Sequence, residues 1–298
     1  MQEFKSICLE DKALFNRYFE SINYRICDFS FANLFCWQPQ YQTSYAIIDN
    51  FLVIQFTCDD GLPCYMMPVG EGNMRELLLK LIHYSKNKNE RFRIHAITIE
   101  MFELLNSALP TTFLFKPLRD YFEYIYLSSD LIELKGKKYQ QKRNHINRFK
   151  IQYPSFVYQS MSLVHISACK ELYEKWMKQH LEKNPDSAIQ GEKQAVFRAL
   201  DNFLELELEG GCLFVDGVLV AFTMGQAVTQ DTFVVYIEKA LNNYQGAYQV
   251  INNQFLLHEA SKYTFVNREE DLGIPALRQA KMSYHPYKFL ERGSVCLK

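Results

Sequence analysis

Closely spaced thiols are the first thing missing. The eight cysteines stand at 8, 27, 36, 58, 64, 169, 212 and 296, and no two make a C-x-x-C pair. A thiolate metal site needs two sulfurs held on one turn, so zinc ribbons and fingers are excluded. The expectation is reduced, partly buried thiols in a cytoplasmic protein. Seven histidines (83, 95, 145, 165, 180, 258, 285) include no pair three or four apart, which leaves no helical metal pair, and no metal is expected. Walker loops, G-x-S-x-G elbows and H-E-x-x-H are all absent, which argues against a P-loop ATPase, an α/β-hydrolase and a zincin. Gly70-Glu71-Gly72 lacks the third glycine of a dinucleotide fingerprint and reads as a loop. The first residues, Met1 to Lys5, are not a basic head followed by an apolar run, so no leader is expected. The longest nearly apolar stretch, 212–226, is broken by the turn pair Asp216-Gly217 and predicts a hairpin rather than a membrane span. A large net charge is missing too: 33 basic against 34 acidic residues give −1. The whole surface is therefore no glove for a polyanion, although a local patch could be.

What the chain does have is apolar mass. Of 298 residues 48% are hydrophobic and 22% charged, with 23 Phe and 19 Tyr, enough for two domains with packed cores. Helical spacing around Leu14, Phe15, Tyr18 and Phe19, and again at Phe31, Leu34 and Phe35, predicts two leading helices. Segments 44–48, 51–56 and 64–68, the first two joined by Asp49-Asn50, predict three antiparallel strands. Met74, Leu77, Leu78, Leu81 and Ile82 make one apolar helix face. A strand at 93–98, a short helix at 100–106 and a strand at 121–127 follow. After Tyr153-Pro154 the order repeats in outline: a strand at 156–159, helices bearing Leu172, Trp176, Val196 and Phe203, a hairpin at 211–228, a strand at 232–237, a helix opened by Gln245-Gly246-Ala247, a strand at 263–267, a helix starting at Pro275 and a last strand from Phe289. This predicts an α/β (α+β) architecture with mostly antiparallel sheets. The expected divisions are an N-terminal domain at 1–130, a basic connecting helix at 131–153 and a C-terminal domain at 154–298.

The connecting segment is the sharpest charge feature. Between Lys135 and Lys150 there are seven Lys or Arg and no acid. On a helix, Lys138, Lys142, His145 and Phe149 share one stripe and Lys137, Asn144 and Arg148 the next. Such a surface could hold phosphates with salt-dependent affinity, or its charges could meet acids such as Glu205, Glu207 and Glu209.

Three sequences carry a family resemblance. The element order resembles two tandem copies of the GNAT acyltransferase fold. Leu134-Lys-Gly-Lys-Lys-Tyr-Gln-Gln-Lys-Arg-Asn-His-Ile-Asn-Arg-Phe149, Asn267-Arg-Glu-Glu-Asp-Leu-Gly273 and Leu277-Arg-Gln-Ala-Lys-Met-Ser-Tyr-His-Pro286 resemble the soluble bacterial family related to the C-terminal domain of phosphatidylglycerol lysyltransferases, over nearly the whole chain. That family is similar to Fem-type aminoacyltransferases, which draw their acyl group from aminoacyl-tRNA.

The resemblance implies a transferase moving an activated acyl or aminoacyl group from acyl-CoA or aminoacyl-tRNA to an amine or hydroxyl, with no permanently bound cofactor. In a GNAT unit the strand before the third helix parts from its neighbour and its amides bind the acyl carbonyl. The helix start takes the pyrophosphate of an acyl-CoA. Here that place falls at 232–248, with Tyr236, Gln245, Gly246, Ala247 and Tyr248 as donor-binding candidates, or as a plain strand-to-helix turn. Glu238 and Asp271 are the candidate bases. Asn267, Arg268, Glu269, Glu270 and Tyr284 would shape the site, with an internal Arg268–acid pair as the structural alternative. Lys138, Lys142, Arg143, Arg148, Arg278 and Lys281 are the anion-binding candidates, for a tRNA, another phosphate-bearing ligand or an anionic lipid surface. A binding protein that keeps the fold without chemistry is the competing expectation.

Overall fold

The turns and strands follow from local chemistry. In a computed structural model describing residues 3–58, 60–183 and 189–298, Asp49 and Asn50 (φ 50° and 66°) and Asp216 and Gly217 (φ 49° and 78°) take the left-handed geometry that two-residue hairpins need. Each closes the hairpin its sequence predicts, pairing Ile48 with Phe51 and Val215 with Val218. Met1 and Gln2, part of the leader reading, lie outside the described residues.

In chain order the elements are β1 (Lys5–Ser6), α1 (Lys12–Phe19), α2 (Phe31–Tyr41), β2 (Ser44–Ile48), β3 (Phe51–Thr57), β4 (Pro63–Tyr65), β5 (Val69–Gly70), α3 (Met74–Asn87), β6 (Arg93–Thr98), α4 (Ile99–Ala108), β7 (Phe113–Pro117), β8 (Glu123–Leu127), α5 (Ser128–Glu133), α6 (Gln140–Gln152), β9 (Val157–Ser160), α7 (Ile166–Lys183), α8 (Ile189–Asp201), β10 (Glu209–Val215), β11 (Val218–Thr229), β12 (Thr232–Ala240), α9 (Ala247–Phe255), β13 (Phe265–Asn267), α10 (Pro275–Met282), β14 (Lys288–Leu290) and β15 (Arg292–Leu297). The expected α/β architecture holds: two mostly antiparallel sheets flanked by helices.

The division into units differs from the expected one. One unit comprises Met1–Glu123, Glu270–Arg278 and Phe289–Lys298, the other Tyr124–Glu269 and Gln279–Lys288. The cause is topological. The last strand, β15, enters the first sheet, whose order is β1-β2-β3-β4-β6-β15-β7 with β5 on β3. The second sheet runs β14-β8-β13-β12-β11-β10-β9 and so takes β8, the strand expected to close the N-terminal domain. The basic stretch lies wholly in the second unit.

Each unit has its own core. In the first, Leu77, Leu78 and Leu81 of α3 are buried with Leu52, Val53, Ile94 and Ile97, as the helix face predicts. In the second, α7 and α9 both touch β11, so Val220, Ala221, Phe222 and Met224 are buried without alternation. Among the described residues no helix is long and apolar enough to cross a membrane.

The thiol reading needs one correction. Cys58 and Cys64 form a disulfide, because the β3–β4 hairpin pairs Phe56 with Cys64 and the loop turns Cys58 back beside it. The other six cysteines are in no disulfide.

Candidate active site

A strand pair in the second unit parts. β12 runs parallel to β13 over only three pairs, Thr232–Phe265, Phe233–Val266 and Val234–Asn267, and then continues alone on that side to Ala240. On its other side β12 stays paired with β11, but with a bulge: Ile237 pairs Met224 and Val235 pairs Gly225, so Tyr236 is the extra residue of the bulge. Gly225 is required there, since a Cβ would lie 2.2 Å from the Val234 carbonyl oxygen. Beyond Val234 the β13-facing edge of β12 has no strand pairing among the described residues, the kind of edge at which an acyl carbonyl could be received.

Side chains gather beside this edge. Glu238 is largely buried; its Oε1 accepts from Arg268 Nη2 at 3.1 Å and its Oε2 from Asn252 Nδ2 at 2.9 Å. Arg268, just beyond β13, is held over the buried Tyr284 ring at 5.0 Å. Asn267 is fully buried and its side chain accepts from the Glu269 amide at 2.8 Å, an Asx-type turn that ends β13 and aims Arg268. Lys142 of α6 reaches in from another direction, its Nζ 2.6 Å from Ser283 Oγ and 3.8 Å from the Tyr284 ring centre. Burial, then the Arg268 charge, push its ammonium down to about 8, with Glu238 opposing. Lys281 is buried and donates to the Arg268 carbonyl at 2.6 Å, while Tyr126 donates to the Lys281 carbonyl at 2.8 Å.

The start of α9 is built differently from a phosphate cradle. Gly246 sits at φ 91°, and a Cβ there would meet the His145 carbonyl oxygen at 2.8 Å, so α6 packs directly over the helix entrance. Ala247 is buried and Gln245 exposed. Tyr248 accepts from Trp176 Nε1 at 2.9 Å, and burial pushes its phenol up to about 12. On that face Lys239 is buried against Glu192 (2.8 Å) and 3.7 Å from the Trp176 ring centre, which makes Trp176 a core residue as expected.

Other expected site residues have structural employment. Asp271 belongs to the first unit, is fully buried, and is held by Arg119 (3.1 Å), Arg278 (2.6 and 2.9 Å) and the Gly273 amide (2.9 Å). Both oxygens are engaged by these groups, an arrangement that anchors the loop. Arg278, paired with Asp271 and Asp120, is likewise a loop clamp rather than an anion site. Lys281 spends its charge on the Arg268 carbonyl. Glu270 pairs with Arg292 at 3.3 Å. Arg292 is 2% exposed and also reaches Glu123 (2.6 Å) and Asp28. The Cys27, Asp28 and Glu123 donor atoms lie within 4.8 Å of one another, but the positive charge among them is the chain's own guanidinium.

On the basic segment Lys138 meets Asp130 (3.2 Å), Lys135 meets Glu133 (2.8 Å) and Arg143 donates to the Leu134 and Gly136 carbonyls. Lys137, Arg148 and Lys150 stand exposed. Glu209, one of the acids expected to neutralise the segment, instead lies 3.9 Å from Lys262. Sequence reasoning missed Asn252, Ser283 and Gly225. For Asn252 a signal existed: it is an amide on the apolar face of α9 between Ile251 and Phe255, 1% exposed.

Two mostly antiparallel sheets flanked by helices, with a parallel strand pair that parts in the second, make up the α/β architecture that carries this site. The family model described as phosphatidylglycerol lysyltransferase, C-terminal, matches residues 19–294, and the chain belongs to that family. A solved conserved protein of unknown function from Bacteroides thetaiotaomicron is 41% identical, with full coverage of both chains and a TM-score of 0.93. The solved L-PGS of Bacillus licheniformis shares the fold at 13% identity and TM-score 0.68, over 99% of this chain and 94% of its own. An uncharacterized Mycoplasmoides gallisepticum protein is 25% identical over 57% of this chain, which spans about half (54%) of that relative's length.

Proposed function

We propose that the chain is an aminoacyltransferase that takes an activated aminoacyl group from aminoacyl-tRNA and passes it to an amine or hydroxyl acceptor at the parting of β12 and β13. The observation that carries this reading is that β12 leaves β13 after Val234, beside the Glu238–Arg268–Asn252 cluster. Amides freed from strand pairing can stabilise the oxygen of a tetrahedral intermediate. Glu238, bound at both oxygens, acts by holding Arg268 and the strand edge in place. The packing of α6 over Gly246 favours aminoacyl-tRNA over acyl-CoA, because the helix entrance that takes a pyrophosphate is covered by backbone. Exposed Arg148 and Lys150 on the same helix, with Lys137 just before it, supply phosphate-attracting charge.

The test is a transfer assay. Bulk tRNA charged with radiolabelled amino acids, and separately labelled acetyl-CoA, are offered with phosphatidylglycerol vesicles or an amine-bearing peptide as acceptor. Label is expected to leave the tRNA pool and not the CoA. Glu238→Ala should lower turnover by roughly 10²-fold, the scale of a lost positioned charged group. Transfer from acetyl-CoA alone would replace the donor assignment. A second reading, binding without chemistry, rests on the exposed cationic face of α6 and predicts equal retention of charged and uncharged tRNA with no label moved.

A further inference from the structure

Among the described groups beside the parted strands, Lys239 is lowered by burial but is ion-paired with Glu192, which turns attention to the other side chains there. Arg268 is a guanidinium and stays charged. Glu238 has each oxygen engaged, and burial pushes the Tyr284 and Tyr126 phenols above their ordinary value. Lys142 differs. Its stem is half-buried on α6, and the charged and titratable groups facing it are Arg268 beyond β13, Glu238 on β12 and the Tyr284 phenol beyond α10. Burial and the nearby guanidinium both favour the neutral amine, which carries a free electron pair.

Its geometry is fixed as well. Ser283 donates its hydroxyl hydrogen to the Ala280 carbonyl at 2.6 Å, so the oxygen facing Lys142 is an acceptor. The segment around Ser283 is tied down by Tyr139 to the Tyr284 carbonyl (3.2 Å), by Tyr126 to the Lys281 carbonyl and by Lys281 to the Arg268 carbonyl. Lys142 is thus held against a segment fixed by several hydrogen bonds.

We propose that Lys142 is the proton acceptor of the transfer, a role distinct from the anion binding its sequence context implies. Its neutral Nζ takes the proton from the acceptor N–H or O–H as that atom attacks the donor's ester carbonyl. The new C–N or C–O bond forms, the ester C–O bond breaks, and the ammonium returns the proton to the departing ribose oxygen. No oxidant or further reactant is needed. This rests on the transferase reading above.

The sign of the pH dependence follows. With the lysine held near 8, the neutral fraction falls about tenfold per pH unit below that value, and transfer falls with it; above it the rate levels off. Lys142→Arg keeps a cation and a donor for Ser283 but cannot lose its proton in this range. The experiment measures transfer from radiolabelled aminoacyl-tRNA to phosphatidylglycerol vesicles or the peptide amine across pH 6–10 (approximately) for wild type and Lys142→Arg, with acetic anhydride labelling of Lys142 in wild type followed by mass spectrometry. The expected results are a labelling midpoint that coincides with the limb of the rate profile, and at least roughly 10²-fold loss in Lys142→Arg with unchanged melting and unchanged retention of uncharged tRNA. If Lys142→Arg transfers within about threefold of wild type on the same limb, or if Lys142 labels with an ordinary lysine midpoint, the inference is overturned while the transferase stands. If wild type moves no label to either acceptor, both fall.

Discussion

Two acids that look alike in sequence are separated by what surrounds them. Glu238 lies within β12 and Asp271 a few residues beyond β13, and each meets an arginine, but Glu238 stands beside the edge where β12 leaves β13 whereas Asp271 is sealed between Arg119 and Arg278. The family resemblance pointed to both; the partners of a buried carboxylate are set by tertiary packing, which spacing along a chain does not encode. Asp271→Ala strips two guanidiniums of their shared counter-charge. Because both are about a third exposed, the loss is expected to be about 2 kcal/mol, below the range for a fully buried pair. Chemical denaturation should register this as an earlier midpoint, with transfer per folded molecule unchanged. Lost transfer at unaltered stability would return Asp271 to the catalytic group.

At the scale of elements, patterns with a strong local cause were legible. The two hairpins were readable because Asp49-Asn50 and Asp216-Gly217 suit left-handed turns, and α3 because its apolar stripe repeats at helical spacing. β7 was not: it is a short terminal strand following Pro110 and Thr111, and its order depends on pairing with β15, far away in sequence. The disulfide was hidden for a related reason, since a six-residue separation becomes a bridge only once a hairpin folds it back. The α9 entrance was located, with a donor site and a plain strand-to-helix turn both open; its single glycine lies against the His145 carbonyl of α6. Gly246→Ala adds a Cβ against the His145 carbonyl at a positive φ, and should destabilise by about 1–3 kcal/mol. A urea midpoint equal to wild type would show that α6 does not press on this glycine.

For the whole molecule, chain order and unit membership diverge. Tandem repetition of elements was visible along the sequence, but the placement of β8 in the second sheet and β15 in the first was not, because any apolar strand of suitable length satisfies the local pattern. The exchange makes both ends of the chain necessary to the first unit, with Arg292 of β15 joined to Glu123, Asp28 and Glu270. The second unit keeps its parted strands within 124–269. Acyl transfer is proposed there, and hydrogen exchange read by mass spectrometry tests it most directly, comparing the free protein with protein saturated by bulk tRNA carrying a non-hydrolysable aminoacyl amide at its 3′ end. Protection is expected to rise over β12 from Tyr236 to Ala240 and around Arg268, and to rise less with uncharged tRNA. Equal protection by charged and uncharged forms, with β12 unaffected by either, would contradict it.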